Sequence, residues 1–250
     1  MQIVPTGADF TRRSGKIRTM KLLAFDTSTQ WLSVACGEAD QWVTRAEPAG
    51  QAHSERLLPL IDAVLDEAGW TLADLDAIAF GAGPGSFTGV RIACGVAQGL
   101  ALGASRPLVP VPSLEALAQA AWQSHGAVRV LACLDARMRE VYVAAYERTG
   151  ERWIVRVEPA VLPAARVRLP PASETWFGAG DGWATYPELA TALGVPAFDA
   201  TLVPDARAIA ELALPRLAAG AAVTAAHALP LYVRHRVALT TAERDAGLRL

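Results

Sequence analysis

An α/β fold with mixed sheets flanked by helices is predicted by three features of the 250-residue sequence. Three short strand-like runs open the chain. Helix-period and strand-period segments then alternate through Gln123. The opening pattern returns in worn form from Val128. Antiparallel strands followed by alternating helices and parallel strands make a mixed sheet with helices on its faces.

Each element has its own signal. "KLLAFDTS" (Lys21–Ser28) is an apolar run ending in an acid and hydroxyls, a buried strand meeting a loop. "WLSVACGE" (Trp31–Glu38) follows at hairpin distance, and "QWVTRAE" (Gln41–Glu47) alternates as a third strand. In "HSERLLPLIDAVLDEAGW", Leu57, Leu60, Ile61, Val64, Leu65 and Ala68 recur at helical spacing, with Ser54 as a capping residue, Pro59 near the first turn and Gly69 at the end. Leu75–Gly83 reads as a strand, Ser86–Gly103 as a helix, Pro107–Pro112 as a strand, and Ser113–Gln123 as a helix capped by Ser113. This is the ribonuclease H-like order. Val128–Arg137, Glu140–Glu147 and Arg152–Pro159 repeat the three opening strands. Beyond them the signal weakens through a Pro-rich stretch, until Asp205–Gly220 shows a helical period interrupted at Pro215.

Composition bounds the function. The chain is 52% hydrophobic and 19% charged with a formal net charge of -2, which suits a well-packed core and gives no whole-chain sign of a nucleic-acid binder acting alone. Its three cysteines contain no Cys-x-x-Cys pair, in keeping with a reducing compartment, and the expected location is the cytoplasm. The apolar run Ile92–Gly103 is broken by Gln98 and reads as too short to span a bilayer. Residues 1–19 lack a hydrophobic signal core and read as a disordered extension or the product of an upstream start, with Met20 as the natural beginning of the fold.

"GAGPGSFTGVR" (Gly81–Arg91) has the profile of a phosphate-binding turn, yet no lysine follows it as a Walker loop requires, and its glycines do not fall at the Rossmann spacing. Two readings stay open: a strand-to-helix turn whose amides at Gly83, Gly85, Ser86 and Thr88 meet a nucleotide or other anion, or a structural turn that needs glycine for close backbone approach. The following helix carries Gly95, Gly99 and Gly103 four residues apart, a surface for close packing either on its own sheet or at a subunit interface. His53, His125, His227 and His235 include no pair at helical metal-ligand spacing. His53 reads as a solvated residue at a helix start. Asp26 and Asp135 end matching strands but lack the Gly-rich turns of a phosphotransferase, and no nucleophile–base pair is evident.

"LLAFDTST", "HSERLLPLI", "GAGPGSFTGVRIACGVAQGLALG", "LDARMREVYVAAY" and "PLYVR" together resemble the TsaB family, formerly YeaZ, over most of Lys21 to about Glu243. Pro163–Pro204 matches poorly, and His235 stands where family members often have an acidic or amide residue. The resemblance implies an actin/Hsp70-like (ASKHA) fold of two ribonuclease H-like lobes, with an N-terminal lobe over 20–106, a C-terminal lobe over 107–236 and a tail over 237–250. It implies an accessory, non-catalytic subunit that supports the paralogue TsaD in transferring a threonylcarbamoyl group to N6 of the adenosine beside the anticodon, in tRNAs reading codons that begin with A. TsaD would carry the metal and the transfer site, the ATPase TsaE would join them, and TsaC would supply threonylcarbamoyl-adenylate. No metal or cofactor is expected on this chain, and ATP or ADP is expected in the partners. The implied TsaD contact uses the first two helices, here Leu57, Leu60, Ile61 and Val64 with Arg91, Gly95, Gln98, Gly99 and Leu102, and the same surface can support a homodimer. An independent ATP-dependent phosphotransferase of the sugar-kinase class is the alternative. A peptidase and a scaffold for a different complex are more distant ones.

Overall fold

The computed structural model describes residues 19–171 and 175–234; the expected N-terminal extension through residue 18, His235 and the 237–250 tail lie outside them. Two five-stranded sheets are built in the same order. In the first, β1 (Leu22–Asp26), β2 (Trp31–Glu38) and β3 (Gln41–Pro48) run antiparallel, and β4 (Ala77–Gly83) and β5 (Leu108–Pro112) continue parallel to β1, giving β3-β2-β1-β4-β5. In the second, β6 (Arg129–Asp135), β7 (Glu140–Thr149) and β8 (Arg152–Pro163) run antiparallel, with the short strands β9 (Phe177–Ala179) and β10 (Ala197–Asp199) parallel on the other side of β6. The duplication expected from the sequence is therefore present strand for strand.

Alternation along the strands divides each sheet into two apolar faces, each needing a cover. Leu23, Phe25, Val34, Ile78 and Phe80 pack under α1 (His53–Ala68) and α2 (Phe87–Ala104), where Leu57, Ile61, Val64, Ala93 and Ala97 meet them. On the opposite face Leu22, Ala24, Ala79, Val109 and Val111 are covered by Ala206, Ile209, Ala210 and Ala213 of α6 (Ala206–Ala218). In the second lobe α3 (Ser113–His125) covers one face of the sheet. The small helices α4 (Gly182–Thr185) and α5 (Glu188–Leu193) help to cover the other, around the fully buried Trp183.

Several expectations change. The boundary at residue 106 falls too early, because β5 is the fifth strand of the first sheet and α6 returns to cover that sheet. α1 is preceded by Ala52 and starts at His53, so exposed Ser54 is not its cap; Gly69 does close it, at φ 68°. Ser113 begins α3 rather than capping it, and its hydroxyl turns toward the end of β1. Pro215 does not end α6, which runs on to Ala218. α2 is long and apolar enough to cross a membrane by length and composition, with mean hydropathy 1.3 over 18 residues, so the shorter run counted from the sequence understated it. One side of that helix lies in the first core through Ala93, Cys94, Ala97 and Ala101.

Candidate functional site

The carboxyl ends of β1, β4 and β6 converge on a cleft of about 990 Å³ between the lobes, where ligands of open α/β sheets commonly sit. Gly85 and Ser86 reach its first-lobe wall beside Ser28 and Thr29; Asp135, Arg137 and Asp181 form the second-lobe wall. Gly83 and Thr88, two of the expected anion contacts, do not line it.

The glycine loop is fastened to the end of β1. Ser86 N–H donates to the Ser28 carbonyl at 2.7 Å, and Thr27 Oγ1–H donates to the Gly89 carbonyl, also at 2.7 Å. Ser86 caps α2, its Oγ accepting from Gly89 N–H at 3.3 Å. A Cβ on Gly85 would collide with Ser28, and one on Gly89 with the Thr27 carbonyl oxygen. Gly83, at φ 99°, donates its N–H to Ser113 Oγ at 3.1 Å. These contacts favour the structural reading of the loop: glycine lets the turn lie directly on the neighbouring strand end. The Gly83 and Ser86 amides are engaged within the protein.

Beneath the loop lies Asp26, fully buried. Its Oδ1 accepts from Ser28 N–H at 2.7 Å and Ser28 Oγ–H at 2.8 Å, and Ser113 Oγ lies 3.4 Å from Oδ2. Burial raises its pKa to about 6, against the hydrogen bonds that favour the carboxylate, with a further push from the negative charge of Asp205. A Cβ on Gly81 would collide with the same carboxylate, so that glycine also serves packing.

The matching Asp135 holds a different turn. It accepts from Arg137 N–H at 2.9 Å and from Tyr186 O–H at 3.2 Å, while its own N–H donates to Asp181 Oδ1 at 2.9 Å. Burial raises the Asp181 pKa. Arg137, Met138 and Arg139 all take left-handed backbone angles, with φ of 63°, 56° and 61°, which none of these residues prefers. Hydrogen bonds from Ala136 N–H to the Glu140 carbonyl (3.0 Å) and from Glu140 N–H to the Arg137 carbonyl (2.9 Å) close the turn, which carries no glycine to announce it in the sequence.

The expected interface residues separate into two sets. Leu57, Ile61 and Val64 are core residues, at most 1% exposed, and do not form a surface; Leu60 is half-buried. The sequence signal found the apolar stripe of α1, which faces its own sheet. On α2 the expectation lands outside: Arg91, Gly95, Gly99 and Leu102 are exposed, Leu102 by 72%, and Gln98 is half-buried with its Nε2 donating to the Ala228 carbonyl at 2.9 Å. Among the described residues nothing lies within 4 Å of where a Cβ on Gly95, Gly99 or Gly103 would sit, so no described internal partner explains these glycines. The sequence reading missed Phe87 and Tyr232, 46% and 48% exposed, which flank Arg91; its guanidinium lies 3.5 Å from the Phe87 ring centroid and its Nε–H donates to Tyr232 Oη at 2.8 Å. His53 is buried rather than solvated, with its ring 3.3 Å from the Trp31 carbonyl. Among the described residues no three His, Cys, Asp or Glu side chains are grouped to hold a metal.

Paired sheets of this order, joined across a cleft at their strand ends, define a two-lobed actin/Hsp70-like chain. The profile of the family described as TsaD: tRNA N6-adenosine threonylcarbamoyltransferase matches residues 46–240. The tRNA threonylcarbamoyladenosine biosynthesis protein TsaB of Escherichia coli K12 is 41% identical over 223 residues, covering 88% of this chain and 96% of that protein. The protein of the same name from Haemophilus influenzae is 37% identical over 229 residues, with the same coverages. The solved structure of YeaZ from Pseudomonas aeruginosa superposes with a TM-score of 0.80 at 45% identity, covering 85% of this chain and 99% of that one. The chain belongs to the TsaB/YeaZ family, within the wider group that the TsaD profile describes.

Proposed function

We propose that the chain is the non-catalytic dimerisation subunit of tRNA threonylcarbamoyladenosine biosynthesis, binding the TsaD paralogue through the outer faces of α1 and α2. One observation carries this reading: α2 presents a side-chain-poor, apolar outer face, where Gly95, Gly99 and Gly103 have no described atom within 4 Å of a built Cβ and lie beside exposed Leu102. Interior helical glycine costs about 0.5–1 kcal/mol relative to alanine, and close approach of a second backbone offsets that cost. On α1 the outward apolar contribution comes from Leu58, 46% exposed, rather than from the buried stripe. A homodimer through the same face would compete with the TsaD pair. TsaE would join the assembly, TsaC would supply the activated threonylcarbamoyl group, and tRNA would be met through the complex. Nucleotide and metal belong to the partners, and of the four expected anion contacts on this chain only Gly85 and Ser86 line the cleft. The cytoplasm is the compartment this role requires, with no membrane partner.

The test is threonylcarbamoyl transfer to unmodified tRNA by TsaC, TsaD and TsaE, with and without this protein. Transfer that depends on its addition supports the reading; transfer that is unaffected, with no binding to TsaD, overturns it. ATP hydrolysis by the isolated chain would instead favour a phosphotransferase. Gly99→Arg and Leu102→Asp are expected to weaken TsaD binding at least ~10-fold, about 1.4 kcal/mol or more. Both sites are exposed, so thermal stability should change by less than about 1 kcal/mol. Calorimetric titration and thermal melts measure the two effects.

A further inference from the structure

After the short helical turn Ala225–His227, the chain crosses from the first lobe to the second in a few residues. The Ala228 carbonyl accepts from Gln98 on α2, and Leu231 N–H donates to the Ala82 carbonyl of β4 at 2.7 Å. Tyr232 then meets Arg91 and Phe87 at the head of α2, with ring centroids 6.4 Å apart for the aromatic pair. Arg234 ends on the other lobe, donating to the Ala136 carbonyl at 3.0 Å and to Glu140 Oε2 at 2.7 Å, at the base of the left-handed turn. Between these anchors the segment is undercut on both sides. Residues 231–234 form part of the wall of the interlobe cleft, and Tyr232–Arg234 line a second cavity of about 560 Å³ with Glu140 and Pro159–Val161. Leu231 packs against the first core, whereas Tyr232–Arg234, bordered by a cavity on either side, can shift without dismantling it.

We propose that Leu231–Arg234 is a clasp setting the angle between the lobes, and that docking on the outer face of α2 releases it. This coupling rests on the docking reading above. The first-lobe anchor lies in that face: Arg91 is exposed, and its partner Tyr232 offers a phenol oxygen and, 5.6 Å from the guanidinium, its ring. A carboxylate on a docking partner makes a stronger, charge-assisted bond to the guanidinium than a phenol does. It draws Arg91 away from Tyr232, loosens the strap, and lets the cleft open.

The experiment uses the full chain with cysteines introduced at exposed Asp40, in the β2–β3 turn and off both docking helices, and at exposed Thr191, one on each lobe, and spin-labelled; Cys36, Cys94 and Cys133 are buried. Double electron–electron resonance reads the interlobe distance. Arg234→Gln and the milder Tyr232→Phe are expected to lengthen and broaden the distribution relative to the unmodified clasp, with melting temperatures confirming that each variant is folded. A distribution unchanged in both folded variants overturns the clasp. In the second arm TsaD is added. The expected result is lengthening in the parent chain and little further change in Arg234→Gln. Bound TsaD that leaves the parent distance unchanged overturns the release by docking. Failure of TsaD to bind at all defeats the docking reading, and the first arm then decides the clasp by itself.

Discussion

Gly89→Ala is expected to destabilise the protein by about 3 kcal/mol, the upper part of the range for overpacking a tight site. Alanine normally stabilises a helix interior by about 0.5–1 kcal/mol relative to glycine. At Gly89 the sign reverses, because the new methyl would enter the Thr27 carbonyl oxygen, a backbone atom at the end of β1 that cannot rotate away. Relief requires moving the first turn of α2 off the strand, which strains the Thr27 Oγ1–Gly89 carbonyl bond and the Ser86 N–H–Ser28 carbonyl bond together. Gly99→Ala is the control on the same helix: its Cβ meets nothing within 4 Å among the described residues, so it should stabilise by about 0.5–1 kcal/mol. Urea unfolding of both variants measures the difference, and equal effects would show that the loop is not held as described.

The second large effect is electrostatic. Asp26 has its pKa raised from the ordinary 3.8 to about 6 in the fold. Between those values the native state binds more protons at this site than the unfolded state, so the contribution of Asp26 to stability falls as pH rises from about 4 to 6. Above pH 6 the ionised carboxylate costs about 3 kcal/mol relative to the protonated acid, at about 1.4 kcal/mol per pH unit between the two values. The substitution Asp26→Asn preserves the shape: the amide carbonyl can accept from Ser28, and the amide N–H can donate to Ser113 Oγ. The stability of Asp26→Asn relative to the parent is therefore expected to improve by about 2 kcal/mol between pH 4 and pH 7, read from urea midpoints at each pH. A difference that stays flat with pH would mean that the carboxylate is solvated or paired in a way the geometry does not provide.

Much of the fold was legible because period-2 alternation and the 3.6-residue repeat report burial directly. The hairpins of both lobes, α2 and α3 lie within a few residues of their expected positions. The proposed docking face was less legible for the same reason. Periodicity on α1 marks Leu57, Ile61 and Val64 as one apolar face, and an apolar face is first a core face. The glycines of α2 do reach the surface, and the close neighbour expected of them is absent within the described chain. The lobe boundary was misplaced because linear order cannot show that α6 comes back to a sheet whose strands were completed long before it. The turn at Arg137–Arg139 left no trace, since its left-handed backbone is imposed by Asp135 and the closing hydrogen bonds rather than by glycine. "PLYVR" was visible as a motif, but only tertiary structure shows that it joins the two lobes.

The late return of α6 has a consequence for biogenesis. Chains emerge from the ribosome N-terminus first, and domains tend to fold as they become complete. Here the first sheet has all five strands once Pro112 is out, yet one of its apolar faces, bearing Leu22, Ala24, Val109 and Val111, lacks its cover until Ala206–Ala218 is synthesised. The hydrogen bond from Ala206 N–H to Ser33 Oγ, at 2.9 Å, is among the contacts that must wait. The second lobe, which α3 and its own sheet largely assemble from a contiguous stretch, is made in that interval. The first-made lobe is thus finished last, and the nascent chain carries an uncovered sheet face through much of its translation, a natural substrate for chaperones that bind apolar surface at the exit tunnel.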